Sequence, residues 1–205
     1  LATAQPAQSE RPNIIVVLAD DMGFSEPGCY GSEIKTPTID RLAAEGVRFS
    51  RFYVANCCGP SRASLNTGCY SWQVGQAPGA NIFGNLTRNC VTLTQLLKAG
   101  GYKTCAVGRL DMVTSDDWHD PAQIARCSDR FLGSASGSPG NYFKETKGSP
   151  WFKDGKRWQR PEGPYSTDLI TDFVTHFIEG MAGDSQPFFI YFAHYAPHWP
   201  LQAKE

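Results

Sequence analysis

The chain has 205 residues and a formal charge of −1, with 19 Lys and Arg against 20 Asp and Glu, a length that fits one domain with a core of useful size. The near-neutral balance points to no nucleic-acid partner, and no run of about eighteen apolar residues occurs, so no segment reads as a transmembrane helix. Seven cysteines are many for a reducing compartment, and six remain if one is chemically converted, enough for a disulfide framework whose pairing the sequence leaves open.

Residues 1–11 contain the small-residue triplet Ala2-Thr3-Ala4 and then a polar run. They read as the remnant of an export signal or as a disordered linker, and a periplasmic or secreted location is the expectation. The run Asn13-Ile14-Ile15-Val16-Val17-Leu18-Ala19, apolar after Asn13 and largely β-branched, predicts a strand buried on both faces, as in a parallel sheet. It ends in Asp20-Asp21. Two carboxylates at the end of a buried strand call for a hard cation such as calcium, or else form a solvated acidic turn.

Thr36-Pro37, apolar residues at helical spacing and Gly46 mark a short helix, and the alternation in residues 47–54 predicts a strand that delivers the chain to Cys57-Cys58-Gly59-Pro60-Ser61-Arg62. Pro60 suits a first helical turn, and the Ser61 hydroxyl is placed to accept from a free backbone N–H there. Cys58 then lies at the positive end of a helix with Arg62 one turn on, a setting suited to a three-oxygen anion; the plainer reading is a free cysteine capping a helix. Asn85-Leu86-Thr87 fits a glycosylation acceptor, meaningful only in some hosts.

Thr92 to Lys98 predicts a capped helix, Gly100-Gly101 its end, and 102–107 the next strand, which leads into Gly108-Arg109-Leu110-Asp111-Met112. From 133 to 164 the chain is rich in Gly, Ser, Pro and Lys with Tyr142, Phe143, Trp151, Phe152 and Trp158 interleaved. This reads as a long loop on the substrate side whose aromatics line a cleft or pin the loop to the core. A helix opens at 165–168, with Leu169, Ile170, Phe173, Val174, Phe177 and Ile178 on one face. Residues 188–193 form a further buried strand, which releases the chain at His194 and His198. Alternation of strand and helix gives an α/β class with a largely parallel central sheet.

Cys58-Gly59-Pro60-Ser61-Arg62 followed by Thr67-Gly68 resembles the signature of the type I, formylglycine-dependent sulfatases. Asp20-Asp21-Met22-Gly23, the Thr36-Pro37 helix, the 108–112 block and Ala196-Pro197-His198-Trp199-Pro200 are similar to further blocks of that family in the same order. The resemblance implies an alkaline-phosphatase-like fold, with 12–205 the N-terminal part of the catalytic domain. It implies that a maturation enzyme converts Cys58 to formylglycine. One hydroxyl of the hydrated aldehyde then attacks the sulfur of a sulfated small molecule or glycan, and the other drives release of sulfate.

On the same ground Asp20, Asp21 and residue 58 hold one calcium ion and Arg62 orients the diol. Arg109 and His198 contact the sulfate, and His198 protonates the leaving group. Two departures stand out: Arg109 replaces the family's Lys, and Asp111 replaces its His, for which His119 is a substitute. The family's second half adds an Asp-Asn pair and a Lys, and no such block follows His198. A formylglycine phosphoesterase or phosphonate hydrolase and a non-catalytic sulfated-glycan binding protein are the alternative readings.

Overall fold

The computed structural model describes residues 11–75, 86–87, 89–110, 128–134 and 140–204. The described strands β1 (Ile14–Leu18), β2 (Lys103–Arg109), β3 (Arg130–Ser134), β4 (Trp151–Lys153), β5 (Lys156–Arg157) and β6 (Phe188–Ala193) form one mixed sheet in the order β1-β6-β2-β3-β4-β5. The first four positions are parallel, and β4 and β5 add an antiparallel hairpin at the far edge. Among the described residues four α-helices accompany the sheet: α1 (Pro37–Glu45), α2 (Cys58–Thr67), α3 (Leu93–Ala99) and α4 (Ser166–Gly180).

Period-two geometry sorts the central strands between two cores. Phe189, Tyr191 and Ala193 of β6 pack with Ala106, with Ala63 of α2, and against Leu93 and Leu97 of α3. On the opposite face Phe188, Ile190 and Phe192 join Cys105, Val107 and Leu132 under Ile170, Val174 and Phe177 of α4. Phe189 and Ile190 are fully buried, and each such side chain stabilises the fold by about 2–3 kcal/mol.

α3 opens as its sequence predicts: Thr92 Oγ1 accepts from Gln95 N, while Gln95 Oε1 accepts from Thr92 N, a reciprocal cap. In α1, by contrast, Thr36 leaves its own helix end uncapped. Its hydroxyl accepts from Gly28 N at 2.8 Å and donates to Asp40 Oδ1 at 2.9 Å, and Asp40 also accepts from Cys29 N at 2.7 Å. The pair therefore tethers the 28–29 turn.

The structure corrects several expectations. β1 is an edge strand with one face open to solvent, Ile15 being 46% and Val17 63% exposed, because α4 covers β2, β3 and β6 only. Residues 47–54 form no strand; Phe52, Tyr53 and Val54 are exposed, and their alternation has no neighbouring strand among the described residues to pair with. The stretch read as a loop from 133 to 164 carries the end of β3 and the whole β4–β5 hairpin, and Tyr142, Trp151 and Phe152 are core residues.

Among the described cysteines, Cys29, Cys57, Cys69, Cys90 and Cys105 form no disulfide. Burial pushes the Cys105 thiol up to about 12, so it behaves as an inert core residue. Residues 1–10, Asn85, Asp111, His119 and Cys127 lie outside the described residues. Among the described residues no helix is long and apolar enough to cross a membrane.

Candidate active site

The site lies where β1, β6 and β2 end and α2 begins. Ser61 N bonds Cys57 O at 3.0 Å to close the first turn of α2, and Pro60 inside that turn forfeits only a spare donor. The Ser61 hydroxyl donates to Cys57 O at 2.8 Å and to Ala55 O at 3.0 Å. It ties the approach segment to the helix and does not accept from a free N–H, contrary to the sequence reading. Gly68, at φ 67, ends the helix by donating to Ser64 O.

Cys58 is the first residue of α2. Its sulfur lies 3.0 Å from Arg109 Nη2 and 3.8 Å from Cys57 Sγ. Arg109 is the last residue of β2 and 1% exposed, and its Nη1 donates to Asp20 Oδ2 at 2.5 Å. Arg62, equally buried, bonds the other Asp20 oxygen at 3.1 Å and donates from Nη1 to Arg109 O at 2.8 Å. Asp20, only 3% exposed, thus accepts from two guanidiniums. Such a cluster tolerates burial because each charge has an oppositely charged partner at bonding distance.

Sequence reading assigns Arg62 to the nucleophile and Arg109 to the sulfate. Arg109 Nη2 stands against the Cys58 sulfur, and Arg62 bonds Asp20 and the Arg109 carbonyl at the end of β2.

Two backbone bonds carry His198 to this cluster: His194 N to Leu18 O at 2.8 Å, and Asp20 N to Ala196 O at 3.1 Å. Asp21 takes a left-handed φ of 62, which Asp tolerates better than most residues. Its Oδ2 lies 3.5 Å from His198 Nε2, and His198 Nδ1 faces Trp199 O at 2.5 Å. A cavity of about 270 Å³ is lined among others by Asp20, Asp21, Asn56, Cys58 and Arg62, with His198 reaching its rim through the contact with Asp21. His194 sits outside it, its ring tilted against that of Phe192 with centroids 4.1 Å apart.

Two glycines bring the strand ends this close. A Cβ on Gly108 (φ 93) would stand 1.8 Å from Ala193 O, and one on Gly133 1.9 Å from Gly108 O. Gly108 pairs with Ala193 on one side and Gly133 on the other, so its neighbour Arg109 emerges deep in the sheet end.

Asp20 and Asp21 are hard-oxygen donors of the kind calcium takes. Among the described residues no group of three or more His, Cys, Asp or Glu side chains is arranged to hold an ion, and both oxygens of Asp20 already accept from arginines. The described donors therefore suit a hard cation in kind and fall short of a full shell in number. His119 and Asp111 lie outside the described residues.

A family model described as Sulfatase matches residues 12–205, and the chain belongs to the sulfatase family. It is 37% identical over 219 residues to arylsulfatase J of Mus musculus, covering 98% of this chain and 35% of that protein. It is 32% identical to the N-acetylglucosamine-6-O-sulfatase of Bacteroides thetaiotaomicron, covering 96% of this chain and 32% of that protein. The crystal structure of Ps i-CgsB in complex with k-i-k-neocarrahexaose superposes with a TM-score of 0.79 at 33% identity, over 94% of this chain and 47% of that one. The chain therefore spans about a third of these curated relatives and about half of that structure.

Proposed function

We propose that this chain is the nucleophile-bearing part of a sulfuric ester hydrolase that releases inorganic sulfate from an aryl or carbohydrate sulfate. The observation that carries the reading is Cys58 at the first residue of α2 with Arg109 Nη2 at 3.0 Å from its sulfur, the same guanidinium being anchored on buried Asp20. Membership of the family supports the reaction class, and the aryl and amino-sugar sulfatases among its relatives support the substrate class.

Sulfatases generally use a formylglycine residue and a divalent cation. Cys58 is the residue to be converted here by a formylglycine-generating enzyme, and the hydrated aldehyde supplies the attacking hydroxyl together with a second one for sulfate release. Asp20, Asp21 and residue 58 would contribute to holding a calcium ion, which adds Lewis-acid charge beside the nucleophile, with the remaining oxygens drawn from outside the described residues.

The chain's own groups supply binding and proton transfer. The α2 N-terminus and the Arg109 guanidinium favour negative charge at residue 58. Arg62 fixes Arg109 by bonding its backbone and sharing Asp20. With Nδ1 held against the Trp199 carbonyl, the Nε2 of His198 is the nitrogen turned toward Asp21, and it is the candidate to protonate the leaving oxygen. A periplasmic or secreted location belongs to the same proposal, supported by the small-residue pattern near the start of the chain.

The test is the intact mass of the peptide containing Cys57 and Cys58, from protein made alongside a formylglycine-generating enzyme and left unalkylated. An aldehyde at Cys58 that a hydrazide traps, with turnover of an aryl sulfate over an aryl phosphate by the complete enzyme, is the expected result. A thiol at Cys58 with the maturation enzyme present overturns the catalytic assignment and favours binding without turnover; preference for the phosphate ester overturns the substrate class.

A further inference from the structure

The buried aromatics on the α4 side of the sheet hold more than a core. Tyr142 is 1% exposed, and its hydroxyl lies 2.8 Å from Tyr195 O and 2.7 Å from His198 O. Those carbonyls belong to the first and last residues of a turn closed by His198 N donating to Tyr195 O at 3.0 Å. One phenol proton therefore serves both ends of the four-residue turn that carries the candidate acid. Burial pushes the Tyr142 phenol up, so it remains a donor across the working pH range.

The turn is fixed from other directions too. Tyr195 OH accepts from Ser134 N at 2.8 Å and donates to Ser134 Oγ at 2.9 Å, at the end of β3, and its ring stacks on Trp151 at 5.4 Å. Tyr142 N donates to Gln202 Oε1 at 2.8 Å, and Tyr165 OH donates to Gln202 O at 3.0 Å, beyond the turn. Arg160, buried beneath, donates to the carbonyls of Asn141, Tyr142, Lys144 and Pro164 and so fixes the segment from which Tyr142 projects.

We infer that Tyr142 is a positioning residue for His198: its hydroxyl holds both carbonyl ends of the 195–198 turn, and thereby fixes the imidazole with Nδ1 on Trp199 O and Nε2 toward Asp21. It touches no reacting atom. The catalytic meaning of this hold rests on the sulfatase reading of His198, whereas the hold itself is a statement about the folded chain and can be measured without turnover.

The experiment is imidazole proton–nitrogen correlation spectroscopy on the folded chain at alkaline pH, where the tautomers of neutral histidine are distinguishable. The wild type is expected to show His198 as the Nδ1–H tautomer. Tyr142→Phe keeps the ring and removes only the hydroxyl; a mixed-tautomer His198 signal and faster exchange of the His198 backbone amide are expected, with His176 on α4 unmoved. Tyr165→Phe, which deletes the hydroxyl bonded past the turn, leaves His198 as in the wild type. A wild-type His198 signal in folded Y142F overturns the proposal, as does an equal change in Y165F.

Should Y142F not fold, site-specific 4-fluorophenylalanine at position 142 fills the hydroxyl's place without an O–H to donate, and an unchanged His198 again overturns it. In the complete enzyme, Y142F is expected to lower kcat by about ten- to a hundredfold with KM nearly unchanged. A displaced imidazole with normal kcat would support the hold by Tyr142 and count against His198 as the acid.

Discussion

The two edges of the sheet are built in opposite ways. At the β5 edge the strand is two residues long and presents Lys156 and Arg157, a short charged rim that discourages further pairing. At the β1 edge a five-residue apolar strand shows Ile15 and Val17 to solvent. Beside it, Phe52, Tyr53, Val54, Tyr70 and Trp72 line an apolar groove of about 590 Å³. One side is finished by its own residues. On the other, apolar surface lies open next to the site, because Cys58, Asp20 and Asp21 all stand at the boundary between the closed and the open side. The contrast predicts that substitutions lose their weight as they move from the closed middle to the open edge.

The largest effect is expected at Gly108, where the closed strands come nearest. Gly108→Ala puts a Cβ against the Ala193 carbonyl at 1.8 Å and against a positive φ, and relief would require parting β2 from β6. A loss above about 4 kcal/mol is expected, seen as the absence of a cooperative denaturant transition; a transition within 1 kcal/mol of the wild type, taking about 1 as an ordinary substitution, would show that the sheet end is softer than its register implies.

At the boundary, Asp20→Asn replaces the carboxylate shared by Arg62 and Arg109 with an amide. Breaking a buried ion cluster in this way costs about 3–5 kcal/mol, and chemical denaturation would show it. If Asp20→Asn instead stabilises the chain, mutual support among the three side chains is not what holds the site.

The next effect is smaller and set by pH. His194 follows β6 with its ring tilted against Phe192, and burial lowers its pKa from 6.5. The folded chain therefore binds a proton less readily here than the unfolded chain does. The full contribution to stability is present above about pH 6.5 and is lost as the pH falls from there through the folded value, by at most about 1.4 kcal/mol per pH unit. His194→Gln should flatten that part of the stability curve between neutrality and about pH 5.5, before carboxylates titrate; coincident curves for the two proteins would remove His194 from the account.

What the sequence shows of this molecule is mostly local. The Thr92 and Gln95 cap, the apolar runs of β1 and β6 and the start of α2 at Cys58 depend on neighbours a few residues away, and each is found where the pattern places it. The openness of β1 depends on which strand lies beside it, a fact about topology that a run of β-branched residues does not encode. Residues 47–54 alternate as a strand would, yet lack a partner among the described residues.

The site divides in the same way. Cys58, Arg62 and His198 are marked by compact motifs, whereas the Arg109–Asp20 contact joins residues 89 positions apart. Tyr142 is marked in the sequence only as one of several aromatics in a Gly- and Ser-rich stretch, whereas the carbonyls its hydroxyl meets lie more than fifty residues later.

The smallest change in stability, and the most direct probe of the open edge, is expected at Val17. Its side chain is 63% exposed on the face that α4 does not reach, so Val17→Lys removes little buried area and should move stability by no more than about 0.5 kcal/mol. Its effect lies in association. A lysine in the middle of an edge strand opposes pairing with another chain through charge and hydration, as Lys156 and Arg157 do at the far edge. The wild-type chain should therefore show concentration-dependent association in sedimentation velocity that Val17→Lys suppresses, while a charge added at Glu162→Lys, remote from β1, leaves it unchanged. Equal association in all three would mean that the apolar edge is not what draws copies together, and the contrast between the two edges would then be one of composition without consequence for association.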